Sequence, residues 1–272
     1  MRSETSRNIE PHPEDEALRE ELARLRASLT ALLLQKDDLV LIQCRRVETA
    51  YLRRFGALEL KVYESWCECL RAKRKAKLIR AKQNRREQAI PEQVEAELDE
   101  ELQVYREELA SRCQRVSGAL EKREGPGLSA SGTRELKELY RQAVKALHPD
   151  LHPEEDEAEA RKLQQAMRAY RAGDLETLRA ICDTADPVEA APSSLETLRA
   201  EIKRLRKSLR EMDRQLEAIK ADYPFRMRVY LEDDEKGKAR EAELTAQLRE
   251  LRERKSHYEA EIERMLAPEE EE

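Results

Sequence analysis

The chain reads as an all-α protein, and three observations carry that reading. Charged residues make up 40% of the sequence and aromatic residues 4%, a composition typical of long helices rich in Ala, Glu, Lys, Leu and Arg. Apolar residues, leucine above all, recur with helical period along most of the length, which favours packed helices over a disordered polyelectrolyte. Prolines are spaced so that long helices are permitted: none falls between Pro13 and Pro91, between Pro91 and Pro126, or between Pro192 and Pro224. A proline inside a helix would cost about 3 kcal/mol. The expected architecture is elongated, with antiparallel coiled-coil hairpins flanking a central helical hairpin.

Residues 1–13 carry no apolar period and are expected to be disordered. The region 14–123 contains three amphipathic stripes. The first runs through Leu18, Leu22, Leu25, Leu29 and Leu32. Its pattern blurs at Asp37 and Asp38, so a turn or irregularity is expected between there and Arg46. The second comprises Val47, Tyr51, Phe55, Leu58, Val62, Trp66 and Cys69, with Gly56 inside it as a point of close helix contact. Pro91 redirects the chain into the third stripe: Val94, Leu98, Leu102, Tyr105, Leu109, Cys113, Val116 and Leu120. Together they suit an antiparallel hairpin or small bundle.

Residues 124–132 (EGPGLSASG) form a small-residue linker, and residues 183–194 (DTADPVEAAPSS) form a second. Between them lies a helical unit, 133–183, near the lower size limit for independent stability, so support from neighbouring helices is expected. Region 193–267 begins with a run spaced alternately by three and four: Leu195, Leu198, Ile202, Leu205, Leu209, Met212, Leu216, Ile219 and Tyr223. That spacing specifies a left-handed coiled coil, with Ser193 or Ser194 as its cap. A break at Tyr223-Pro224-Phe225 and a charged turn near Gly237 precede a second run, from Leu244 to Met265, with Lys255 at a seam position. The two runs are expected to fold back on each other as an antiparallel coiled coil. Residues 268–272 form an acidic tail.

In the central unit, Thr133 is a candidate N-cap, and Leu136, Leu139, Tyr140, Ala143 and Leu147 form an apolar stripe. Lys137, Arg141 and Lys145 share another face. The helix must stop at His148, because Pro149 disfavours α conformation in the residue before it. Pro153 extends the loop, and helix resumes near 154–156. Leu163, Ala166, Met167 and Tyr170 supply the buried stripe of the returning helix. Gly173 suits its C-terminal stop, and Asp174 suits the cap of a further short helix. The tip is expected to present the imidazole of His148, the ring of Pro149 and the carboxylate of Asp150 to solvent.

This hairpin resembles helices II and III of a J-domain, the module that stimulates DnaK-type heat-shock chaperone ATPases. The tripeptide His148-Pro149-Asp150 is that family's loop signature. Tyr140 and Arg141 stand at the family's spacing before it, and Leu163, Ala169 and Tyr170 match the apolar residue and Ala-Tyr pair of helix III. The resemblance covers roughly residues 134–170. No counterpart of the family's helix I precedes Arg134, its basic helix IV signature is replaced by Arg171-Ala172-Gly173-Asp174-Leu175, and Leu151 stands where a basic residue is common. The resemblance implies a co-chaperone or adaptor without enzymatic activity of its own. His148, Pro149 and Asp150 would contact a DnaK-type chaperone, and Lys137, Arg141 and Lys145 would steer it by charge. The coiled coils would bind a client protein or self-associate. The alternative is a non-catalytic coiled-coil scaffold with a vestigial J-like hairpin.

Other chemistries find less support. His148 and Asp150 could form an acid/base pair, but such work needs a water-excluding pocket, which this composition does not suggest. His148 and His152 have ligand spacing, but Pro149 and Pro153 interrupt the helix that would align them. Cys67 and Cys69 lack a second pair to complete a zinc site. No metal or cofactor is therefore expected, and Cys69 and Cys113 are read as seam-filling residues. Residues 71–86 hold nine basic residues and no acid, which alone reads as a nucleic-acid stripe. The acidic run 92–108 is expected to neutralise it internally, so nucleic acid is the lesser alternative. Net charge is −6 from 52 basic and 58 acidic residues. The five cysteines give no disulfide framework, no segment is apolar enough to span a membrane, and the first residues lack a secretory core. A cytoplasmic location is the expectation.

Overall fold

The computed structural model describes residues 13–121, 128–152, 157–185 and 194–267, and the described residues form an all-α fold. In chain order the α-helices are α1 (Pro13–Asp38), α2 (Cys44–Tyr51), α3 (Ala57–Asn84), α4 (Pro91–Glu101), α5 (Gln103–Glu121), α6 (Ala130–Leu147), α7 (Glu157–Ala172), α8 (Leu175–Asp183), α9 (Leu195–Ala221), α10 (Val229–Glu232) and α11 (Asp234–Leu266). π turns at Leu39–Gln43 and Leu52–Gly56 flank α2, and a 3-10 turn, Phe225–Arg228, precedes α10. The chain divides into two compact units, Met1–Arg45 with Gly125–Phe225 and Arg46–Glu124 with Arg226–Glu272.

In the first unit α1 packs along α9. Glu14 pairs with Arg199, Glu21 with Arg206, and Lys36 donates to Gln215 at 2.9 Å. Residue numbers rise together on both helices, so the pair is parallel. Leu22, Leu29 and Leu33 of α1 face Leu198, Ile202, Leu205 and Met212 of α9 in one hydrophobic core. That core continues without interruption into Leu136, Tyr140, Ala143, Val144 and Leu147 of α6, Leu163, Ala166 and Tyr170 of α7, and Leu178 and Ile181 of α8. The central helices therefore gain their support from α1 and α9, as their small size led us to expect.

Local signals set the helix ends. Ser129 caps α6 by accepting from the Gly132 amide at 3.0 Å, so the helix starts before Thr133, and the linker expected through Gly132 is shorter by that turn. Gly173 stops α7 in the left-handed conformation, φ +75°, which glycine alone adopts without strain. The Asp174 side chain then caps α8 through the Thr177 amide at 3.0 Å. Ser194 and Thr197 form a capping box at the start of α9.

In the second unit α3 packs along α11, again in parallel. Arg54 pairs with Glu241 at 2.9 Å, Arg240 with Glu59 at 2.9 Å, Lys255 with Glu68 at 3.0 Å, and Arg80 with Glu261. Burial and a hydrogen bond to Glu59 push the Tyr51 hydroxyl up to about 12. α4 and α5 return antiparallel along α3, where Arg53 donates to the Ala119 carbonyl at 3.0 Å and Trp66 meets Tyr105 edge-on at 5.2 Å. A Cβ on Gly56 would lie 3.1 Å from the Val116 side chain, so the glycine permits this close approach. The basic run faces the acidic run as anticipated: Arg71 contacts Glu95 and Asp99, Lys75 contacts Glu95 at 2.6 Å, Arg74 contacts Glu101 at 2.7 Å, and Lys82 contacts Glu97 at 3.3 Å.

Several expectations are corrected. The runs beginning at Leu195 and Leu244 pair with α1 and α3 respectively, each in parallel, in place of the antiparallel hairpin expected over 193–267. Their connection contains 3-10 and α-helical turns, and Gly237 is buried inside α11. The irregularity expected after Asp38 is a π turn, which keeps the chain helical. Cys113 is exposed and Leu120 is 59% exposed, because non-helical Leu102 between α4 and α5 rotates the buried face onto Val116 and Ala119. The readings of residues 1–12, 122–127, 153–156, 186–193 and 268–272 lie outside the described residues.

Because α9 and the central helices share one core, Leu205→Ala in α9 should lower stability by about 2–5 kcal/mol. It should also accelerate amide hydrogen exchange in α6 and α7. Urea unfolding and hydrogen-exchange mass spectrometry check both outcomes.

Candidate functional site

The loop after α6 is positioned by the residues that end the helix. His148 leaves the helical conformation, φ −84° and ψ 127°, as the following proline requires. Its amide still donates to the Val144 carbonyl at 3.1 Å, and its carbonyl accepts from the Leu151 and His152 amides at 2.9 and 3.0 Å. Nδ1 of His148 accepts from the Asp150 amide at 3.1 Å, which leaves any proton of the neutral ring on Nε2. Leu151 is 4% exposed and sits in the core, so it anchors the loop where the resembled family often has a basic residue. His152 Nε2 donates to the Lys145 carbonyl at 2.8 Å.

Helices α1 and α9 complete the surroundings. The Arg204 guanidinium of α9 donates to the Asp150 carbonyl at 2.9 Å while holding Glu201 through two further bonds of 2.8 and 2.7 Å. That hydrogen-bonded pairing keeps the Glu201 carboxyl below the usual carboxylate range. From α6 and α7, Tyr140 and Tyr170 stack with ring centroids 4.2 Å apart. Tyr140 donates to Asp37 at 2.6 Å and Tyr170 to Asp38 at 3.0 Å. Asp38 also accepts from Gln43 across the π turn at 2.7 Å. Burial pushes the Asp37 carboxyl above its ordinary value, opposed by the Tyr140 hydrogen bond and by the charges of His148 and Lys36.

The six residues singled out from the sequence fall into two groups. Lys137, Arg141 and Lys145 are exposed on α6, and Pro149 is exposed at the loop. His148 and Asp150 are only half-exposed, which corrects the expectation of a loop presented freely to solvent. The cause is packing between α1 and α9. Burial also pulls the His148 imidazole below its ordinary value, against the favourable charges of Asp150 and Asp37. Sequence reasoning missed Asp37, Asp38 and Arg204 as neighbours of this loop. Two acids set in the apolar run Leu29–Leu41 were a legible signal, since buried carboxylates need donors; Arg204 carried none.

The arrangement is suited to binding. Among the described residues no group of His, Cys, Asp and Glu could hold a metal ion. What the site offers is a proline-led surface beside exposed cations, backed by a polar cluster that ties it to α1 and α9.

Tyr140→Phe should destabilise the fold by about 1–3 kcal/mol, because the half-buried Asp37 carboxylate loses its donor. The pH response of His148 has a definite sign. Its folded-state value lies below the ordinary imidazole value of 6.5, so its contribution is complete above 6.5 and is lost as pH falls from there through the folded-state value. The stability advantage of wild type over His148→Gln should therefore shrink between about pH 7.5 and about pH 5.5, as measured by urea unfolding. Asp37, raised in the fold, has the opposite sign and acts above 3.8.

No family model, no curated protein and no solved structure matches this chain.

Proposed function

We propose that this protein is a J-domain-type co-chaperone or adaptor that recruits a DnaK-type chaperone through His148, Pro149 and Asp150 and stimulates its ATPase. The observation that carries the reading is the conjunction of an exposed Pro149 with the exposed cations Lys137, Arg141 and Lys145 on the helix leading into the loop. A cationic helix beside a rigid loop suits docking on an acidic surface, with charge supplying steering and the loop supplying register. Further support comes from α1. It packs on α6 and would stand in for the helix that the sequence resemblance lacks before Arg134. Stimulation would be an allosteric coupling, in which the loop favours the hydrolysing state of the ATPase.

Client binding or self-association would fall to the second unit, where Trp66 and Tyr105 are each 36% exposed and Val104 is 70% exposed. Aromatic residues of this kind are enriched at interaction hot spots. A reducing, cytoplasmic setting fits five free thiols, and among the described residues no helix is long and apolar enough to cross a membrane.

A second reading has a specific observation in its favour. His148 is half-buried and the Asp150 carbonyl is held by Arg204, as suits a vestigial hairpin inside a non-catalytic scaffold. Single-turnover ATP hydrolysis by a DnaK-type chaperone separates the two. The co-chaperone reading expects acceleration by the wild-type protein and a return to the chaperone-alone rate with His148→Gln. Equal rates for both proteins, neither above the chaperone alone, select the scaffold.

A further inference from the structure

A groove of about 710 Å³ runs between α1 and α6 and takes in Leu151 and His152 at the end of the loop. That volume lies within the roughly 300–1,000 Å³ typical of pockets that enclose ligands. Its floor is apolar, with Leu22 of α1, Leu198 of α9 and Leu151. Among the described lining residues its walls carry four cations, Arg19 and Arg26 from α1 and Arg141 and Lys145 from α6, against one acid, Glu138; Arg19 also pairs with Asp15 at 3.1 Å. A concave surface that combines this charge excess with leucine contacts favours an anionic occupant with aliphatic side chains.

Arg26 sharpens the inference. Its Nε is buried and has no hydrogen-bond partner, and its ion pair to Glu201 is long, at 3.9 Å. Glu201 is instead engaged by two shorter bonds from Arg204. A buried, unsatisfied N–H costs free energy, so the Arg26 head is only weakly held by its present neighbours. The terminal nitrogens of the guanidinium offer an incoming carboxylate charged donors.

We propose that this groove binds an extended acidic peptide segment of a partner protein, with a carboxylate on Arg26 and an aliphatic side chain on Leu22 and Leu198. Nucleic acid fits less well. Among the described lining residues there is no Phe, Tyr or Trp on which bases could stack. The site draws Arg19, Leu22 and Arg26 from α1, outside the stretch that resembles a known module, and shares Arg141 and Lys145 with the face proposed to steer an ATPase; peptide binding and ATPase stimulation are read out separately.

Fluorescence anisotropy with the full chain tests it. The probe is a short labelled peptide alternating aspartate and leucine, and the control replaces each aspartate with asparagine. Wild type should bind the acidic peptide, more weakly as salt rises, and bind the control at least about tenfold more weakly. Arg26→Gln should lower affinity by about tenfold, whereas Lys207→Gln, on the exposed face of α9, should leave it within about twofold. Circular dichroism establishes that each variant is folded. Should Arg26→Gln not fold, Arg19→Gln, whose side chain is already half in solvent, must weaken binding instead. The proposal is overturned by no binding at low salt, by equal affinity for the control peptide, by unchanged affinity in whichever variant is folded, or by an equal loss with Lys207→Gln. Labelled duplex RNA that binds more tightly than the peptide and depends more steeply on Arg26 would also overturn it, in favour of a nucleic-acid groove.

Discussion

Two stacked tyrosines tied to two adjacent carboxylates fix the architecture of the first unit. Tyr140 and Tyr170 come from different helices of the central hairpin, and Asp37 and Asp38 stand side by side on α1. A buried tyrosine must place its hydroxyl, and a buried carboxylate must find donors. Here each requirement meets the other. The result is a directional contact inside a core otherwise held by non-directional leucine packing, and it sets both the rotation of α6 and its height along α1. Since the loop begins one residue after α6 ends, its location follows from that contact.

The long N-terminal helical run faces a problem of phase. Val47, Tyr51 and Phe55 recur every four residues, and on a regular α-helix each such step overshoots a full turn by about 40°. The π turns at Leu39–Gln43 and Leu52–Gly56 take up extra residues. They let the buried stripe stay on one side where the sequence period departs from 3.6. The first of these turns begins directly after Asp38, and its Gln43 shares that carboxylate with Tyr170. A local wrinkle in helix geometry is thus joined to the polar cluster behind the loop.

The loop is held from both sides, by α1 through the cluster around Asp37 and by α9 through Arg204. Docking of a partner on Pro149 and the α6 cations would press on a preorganised surface, which limits the entropy lost on binding. The same grip links the loop to the parallel α1–α9 pair.

The sequence by itself determined the helical class, the faces that are buried, most caps and stops, and the opposition of the basic and acidic runs. Ser194, Gly173 and Asp174 act as read, and Leu198, Ile202 and Leu205 are buried as their spacing requires. These properties are local, set by backbone geometry, capping chemistry and periodicity within one or two turns. The tertiary structure alone decided partners and direction. A heptad stripe states which face seeks cover but not what covers it, so the C-terminal runs could not be assigned to α1 and α3, nor their parallel sense foreseen. The surroundings of His148 were hidden for the same reason. Asp37 and Arg204 lie 111 and 56 positions from it in the chain, and only packing through the shared core brings them to one loop.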